Sequence, residues 1–320
     1  MPILNVNKLK AYFLTIRGAV RAVDNVSFSL EKGESLGLAG ESGCGKSTLG
    51  YALINLLPPP GKIMEGSILI DGIDGIDVAK LSEDELRKKV RWKKISMIFQ
   101  GAMNALNPVY TVGYQMSEPL IYHEGMNKKE ALEEAKRYLE LVGLSRDVVN
   151  RYPHELSGGM KQRVMIATAL ILKPTVLIAD EPTTALDVIV QAQIINLMKK
   201  LKRELGISII FISHDLSIIS EIADRVAIMY AGKIVELGSS DSVYLKPKHP
   251  YTQALLRAVP RIKGKKEKLT FIPGAPPNLI EPPSGCRFHP RCPYAFDRCI
   301  REEPELKQVE SGHFVACHLY

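Results

Sequence analysis

The chain has 320 residues, 46% of them hydrophobic and 24% charged, with a formal net charge of +7. That length suits one large domain, or a domain with an appendage, around a substantial core. No run of about 18 apolar residues occurs, so no bilayer-spanning helix is expected, and the start MPILNVNKLK lacks the sections of a secretory signal. The positive balance would suit nucleic acid or an anionic membrane surface. The basic runs KKLKR (199–203) and KGKKEK (263–268) are short, however, and solvated surface lysine is the preferred reading.

In chain order, VRAVDNVSFSL (20–30) has the alternation of a strand running into an EKGE turn, and SLGLA (35–39) reads as a short buried strand. TLGYALINLL, from Thr48, has helical spacing. SILIDG (67–72) is strand-like, LSEDELRKKVRWKK (81–94) is a polar helical stretch, and ISMIF (95–99) is an apolar strand. Residues 101–172 contain little strand character. Within them Leu132, Ala135, Leu139 and Val142 recur at helical intervals, with Gly143 as a stop. This predicts a helical insertion in an α/β domain. TVLIAD (175–180) and ISIIFIS (207–213) are continuous apolar runs, as in strands buried on both faces of a parallel sheet. RVAIMYAGKIVELG (225–238) reads as a hairpin turning at Ala231-Gly232. Beyond about residue 240 prolines gather, as in FIPGAPPNLIEPP (271–283), and a separate loop-rich module is expected.

GESGCGKST (Gly40–Thr48) fits the phosphate-binding loop pattern, between a strand and a helix. Such a turn aims backbone N–H groups at one point, and glycines let the backbone approach an anion without Cβ interference. Gly40, Ser42, Gly43, Cys44, Gly45, Lys46, Ser47 and Thr48 are the candidate phosphate-binding residues. Lys46 would supply charge to the β- and γ-phosphates, and Ser47 a hydroxyl to Mg²⁺. VLIADEP (176–182) ends a strand with two carboxylates. Asp180 can hold Mg²⁺ through its water shell, and Glu181 can polarise the water attacking a γ-phosphate. Their place at the carboxyl end of a strand is where open α/β sheets bind ligands. Ser157 of RYPHELSGGMKQR (151–163) is a good helix N-cap, and Gly158 and Gly159 leave the next amides exposed.

LSGG followed by KQR resembles the signature of ATP-binding cassette (ABC) ATPases, over roughly residues 1–240. The resemblance implies an α/β fold: an ABC-type P-loop ATPase core with an antiparallel β subdomain and an α-helical subdomain (about 101–172). It makes Gln100 a sensor of Mg²⁺ and the attacking water, Asp187 of TTALD (183–187) a dimer-interface residue, and His214 a γ-phosphate contact. Lys46, Gln100, Glu181 and His214 are then the catalytic candidates. In LKAYF (9–13) an aromatic would stack on adenine, Phe13 by spacing or Tyr12. Met160 stands where the family often has glutamine, and leaves Ser157 and Gly159 untouched. The family lays the LSGG surface of one subunit over the phosphate loop of another. A second ABC ATPase subunit, identical or homologous, is therefore implied.

The tail is similar to the extension on ATPases of dipeptide and oligopeptide importers: KHPYTQALLRAVPR (248–261), PGAPPNL (273–279) and PPSGCRFHPRCP (282–293). Residues 241–320 would thus form a C-terminal extension, and the chain an ATPase subunit driving peptide import. The resemblance implies two membrane-spanning permease subunits, an extracytoplasmic peptide-binding protein acting indirectly, and a peripheral place on the cytoplasmic face of the membrane. Nickel or other small-solute importers of the same subfamily share parts of the tail. A soluble ABC ATPase acting on nucleic acid is the other alternative; no nucleic-acid partner is expected, because the tail offers no aromatic platform.

Cys286, Cys292, Cys299 and Cys317 run C-x5-C-x6-C-x17-C. Zinc modules usually offer tight C-x2–4-C knuckles, and the wider spacing here suits a [4Fe–4S] cluster. Zn²⁺ and unliganded thiols or disulfides are the alternatives, with His289, His313 and His318 available as substitute ligands. The expected role is a staple for a module lacking a core of its own.

Overall fold

The computed structural model describes residues 2–70, 77–258 and 272–320. Asp71 and Gly72 of the SILIDG reading, the basic run 263–268, and positions 259–261 and 271 of the tail motifs lie outside the described residues. In chain order the strands are β1 (Leu4–Thr15), β2 (Gly18–Leu30), β3 (Ser35–Ala39), β4 (Gly61–Ile70), β5 (Ile95–Ile98), β6 (Val176–Asp180), β7 (Ser208–Ile212), β8 (Arg225–Tyr230), β9 (Lys233–Ser239), β10 (Lys307–Glu310) and β11 (His313–Val315). Contacts divide the chain into one unit of residues 1–80 with 211–320, and a second of residues 81–210.

In the first unit, β2, β1 and β4 form an antiparallel sheet in that order. Leu4 and Val6 of β1 are buried while Asn5 and Asn7 are exposed, the alternation of a half-buried strand. A bulge then shifts the register, with Lys8 at φ 46°, so that Leu9 and Ala11 return to the core face. A second set of strands runs β10-β11-β9-β8-β3. β3 is buried along its whole length and pairs in parallel with β8, Leu36 opposite Arg225. A Cβ at Gly37 would lie 2.2 Å from Ile219, so the helix Leu216–Ile222 can pack on β3 only because that position has none. The β8–β9 hairpin turns at Ala231 and Gly232, both at positive φ, as a two-residue hairpin loop requires.

The tail has more regular structure than its composition suggests. Helices Ser240–Leu245 and Pro250–Ala258 follow β9, and β11 adds to the β9 edge with Phe314 opposite Leu237. Its anchor is Glu236, fully buried on β9. The carboxylate accepts the backbone N–H of Lys248 at 2.7 Å, that of His249 at 2.9 Å, and His313 Nε2–H at 2.8 Å. Complete burial pushes the His249 ring down to about 3, so it stays neutral and its Nδ1 accepts from Tyr251 N–H. This gives the HPYT motif its physical role: the chain docks onto one buried carboxylate and starts a helix at Pro250.

In the second unit, β5 and β6 pair in parallel, Ile98 opposite Ala179. The segment between them is helical, as its spacing predicts: Val112–Glu124, Lys128–Leu141 and Gly158–Leu170. Gly113 lets the first two approach, since a Cβ there would meet Leu132 at 2.7 Å and the Val149 carbonyl at 2.8 Å. The helix Lys128–Leu141 opens with an Asn127/Glu130 capping box, and Gly143 at φ 77° follows its end. The long helix Val188–Leu205 leads to β7.

Candidate functional site

In the first unit the loop after β3 closes into a ring. Gly40 takes φ 149°, and a Cβ there would sit 2.1 Å from the Met229 carbonyl. Gly45 takes φ 106°, with Ala22 O only 1.9 Å from the corresponding position. No residue with a side chain fits either place. The helix Lys46–Leu53 starts directly after Gly45 with no side-chain cap, so its first amides face the loop. Lys46 is buried, and its Nζ donates to Gly40 O at 2.7 Å and to Glu41 O at 3.0 Å. The ammonium is thereby pinned to the loop backbone at the start of the helix, where a positive charge favours an anion. Ser42, Gly43, Ser47 and Thr48 lie on this loop and first turn. Cys44 is a buried filler under Gly40; burial pushes its thiol up, against the pull of Lys46.

His214 follows β7 and is exposed, next to Asp215, which caps the helix Leu216–Ile222. Of the two aromatics, Tyr12 donates its hydroxyl to Asp24 Oδ1 at 2.7 Å, and burial and that bond push its phenol above the usual range. Phe13 instead lies against Gly61, whose Cβ position is 2.9 Å from the ring.

In the second unit, Gln100 follows β5 and Asp180 closes β6. Parallel pairing sets these carboxyl ends side by side. Asp180 is fully buried. Glu181 takes φ 46°, a left-handed conformation that a non-glycine residue adopts at a cost of about 1–3 kcal/mol. Its Oε2 accepts from Gln100 Nε2 at 3.0 Å and Thr184 Oγ1 at 3.1 Å. Both donors orient the carboxylate at the strand end. Ser157 caps the helix Gly158–Leu170, accepting from Met160 N–H at 3.4 Å, and Ser157 and Gly158 are exposed. Gly159 is fixed by packing, because a Cβ would approach Val190 to 2.8 Å. Asp187 caps the helix Val188–Leu205 through Val190 N–H.

The four late cysteines, far apart in sequence, line one small cavity of the first unit together with His289 and His318. All are free thiols. Burial pushes Cys286 up to about 11, and the neighbouring thiols Cys317, Cys299 and Cys292 push in the same direction; burial also raises Cys292 and Cys317. Four thiolates could coexist here only around a positive centre. Among the described residues no group of three or more His, Cys, Asp or Glu is arranged to hold a metal ion.

Two residues that sequence reasoning passed over also belong here. Glu41, inside the phosphate loop, pairs with Arg291, which stands next to Cys292. An acid within an anion-binding loop was the available signal. Its partner, 250 residues away, left none.

Comparison with known proteins agrees with this geometry. Residues 23–184 match the ABC transporter family, and residues 235–299 match the oligopeptide/dipeptide transporter C-terminal region. The oligopeptide transport ATP-binding protein AppD of Bacillus subtilis (strain 168) is 48% identical, over 99% of this chain and 97% of that protein. The dipeptide transport ATP-binding protein DppD of Escherichia coli (strain K12) is 45% identical over the same shares. The dimeric ATP-binding cassette MJ0796, solved bound to ADP and Pi, superposes with a TM-score of 0.65 at 30% identity, covering 74% of this chain and 98% of that one. On these matches the chain belongs to the ATP-binding proteins of the ABC transporter family, in the branch that carries the oligopeptide/dipeptide transporter C-terminal region.

Proposed function

We propose that this chain is the ATP-hydrolysing subunit of a dipeptide or oligopeptide importer. The observation that supports it most is the union, along one chain, of the ABC core with the peptide-transporter C-terminal region. Phe13 stacks on adenine, because the Tyr12 hydroxyl is already committed to Asp24. The amides of Gly40–Thr48 and Lys46 hold the triphosphate. Ser47, Asp180 and Gln100 hold Mg²⁺, Glu181 is the general base, and His214 contacts the γ-phosphate. The exposed Ser157 and Gly158, with the half-buried Gly159 and with Asp187, serve a nucleotide held by a second ABC subunit.

Among the described residues no helix is long and apolar enough to cross a membrane. By likeness to the peptide-transport relatives, the chain is assigned a place on the cytoplasmic face of the membrane and membrane-spanning permease partners. Their cytoplasmic loops would seat on the helical subdomain, in a groove walled by Trp92, Tyr122 and His123 with Arg87 over the Tyr122 ring. Two permeases joined to the ATPase pair and a peptide-loaded binding protein make the working complex. In that complex, ATP turnover is expected to rise with a peptide-loaded binding protein and not with a nickel-loaded one. Stimulation by nickel alone would move the chain to the other substrate class.

The cysteine cavity is assigned to a [4Fe–4S] cluster held by Cys286, Cys292, Cys299 and Cys317. When bound, the cluster supplies a charged centre that cross-links three segments of the extension; no electron-transfer role is assigned. Purified without oxygen, the protein is expected to carry about four irons and a broad visible absorption. Cys292→Ser with Cys299→Ser should remove both. Unchanged iron in that variant, or one zinc per chain in the wild type, would overturn the assignment.

A further inference from the structure

The extension grips the phosphate loop at one place. Glu41 is the second residue of that loop. Arg291 answers it with a two-pronged contact, Nη1 to Oε2 at 2.7 Å and Nη2 to Oε1 at 3.0 Å. The third donor, Nε, reaches Pro273 O at 2.8 Å, and the guanidinium lies 5.8 Å from the Tyr230 ring centroid. The Arg291 side chain is 5% exposed and that of Glu41 25%, so the pair is largely shielded from water and salt. A planar fork fixes both distance and orientation of a carboxylate, which a lysine would not. The backbone of Glu41 is held as well: its N–H donates to Tyr251 Oη at 2.9 Å, and its carbonyl accepts from Lys46.

Arg291 is itself placed by the cysteines. It ends the short turn His289–Arg291, set between Cys286 and Cys292. His289 N–H donates to Cys286 O, Cys292 N–H to His289 O, and Cys286 N–H to Cys299 O. Phe288, immediately before the same turn, packs on Tyr230 and Tyr251. A displacement of the cysteine cavity therefore displaces the guanidinium.

We propose that Arg291 is a positioning residue for nucleotide: it neutralises and holds Glu41 so that the loop can accept a triphosphate, and it makes nucleotide affinity depend on the four-cysteine module. The proposal rests on the ATP-binding reading above. Without Arg291 the Glu41 carboxylate is an uncompensated negative charge on the phosphate-binding loop, and the loop loses its outer tether.

The test is Mg²⁺-dependent binding of a fluorescent ATP analogue to the full chain carrying R291Q, E41Q, both, or R291K. R291Q is expected to weaken binding about tenfold, seen in turnover as a raised KM with little change in kcat. On the E41Q background the same change should cost no more than about twofold, since the charge it answered is gone. R291K should fall between wild type and R291Q. The Cys292→Ser, Cys299→Ser variant should weaken binding in the wild-type background and add nothing to R291Q. Wild-type affinity in R291Q, or an equal loss with and without Glu41, would overturn the role of Arg291. Undiminished affinity in the cysteine variant would overturn its dependence on the module. A wild-type chain that binds no ATP would instead overturn the reading beneath both.

Discussion

Replacing Glu181 by glutamine is expected to lower ATP turnover by about 10²–10⁴-fold, the usual worth of a positioned general base. Nucleotide binding should survive, and the reason is local. Glu181 Oε2 accepts from Gln100 and Thr184, and a glutamine carbonyl oxygen can accept the same two bonds. Backbone strain at φ 46° is unchanged by the substitution, so the side chain keeps its place and loses only its basicity. Phosphate release and equilibrium binding of Mg-ATP, measured on the same preparation, separate the two effects. With hydrolysis blocked, the ATP-bound pair of subunits should also persist on size-exclusion chromatography. Wild-type turnover by the glutamine variant would remove Glu181 from the base role. Lost binding would mean that its charge serves the fold or the metal instead.

Much of the site could be read from the sequence because its signals are local. A strand, a glycine turn and a helix start within 15 residues of one another, and the structure forms all three at Ser35–Leu53. Ser157 and Asp187 cap helices because a short oxygen side chain before an apolar periodic run has little else to do. The Ala231-Gly232 turn was equally plain. What resisted reading depends on distant partners. The helices at 240–245 and 250–258 and the β11 edge strand are too short to form on propensity; they are organised by the buried carboxylate of Glu236. The bond from Tyr12 to Asp24, twelve residues on, is not revealed by any count of spacing. Three-dimensional closure likewise brings Arg291 to Glu41 and four scattered thiols to one cavity.

The two loop glycines allow structural and ligand roles to be told apart. At Gly45 an added methyl meets Ala22 O at 1.9 Å and Met229 Cε at 2.9 Å, and φ is 106°. Backbone cannot move aside there without opening the contact between β2 and the loop, so Gly45→Ala is expected to destabilise the protein by about 2–4 kcal/mol. Nucleotide affinity should fall by more than about 100-fold, because amides aimed at one point lose their convergence. Gly43 is the contrasting case. Its φ is 80°, yet nothing lies within 4 Å of an added Cβ. Gly43→Ala should therefore cost the fold about 1 kcal/mol, the strain of the left-handed conformation alone. If that open space is where phosphate oxygens come to rest, the same small change must still weaken Mg-ATP binding substantially. Thermal unfolding of the two variants, with and without Mg-ATP, measures both quantities at once. A Gly43→Ala protein stabilised by nucleotide as strongly as wild type would mean that the ring of Gly40–Lys46 is not what holds the triphosphate.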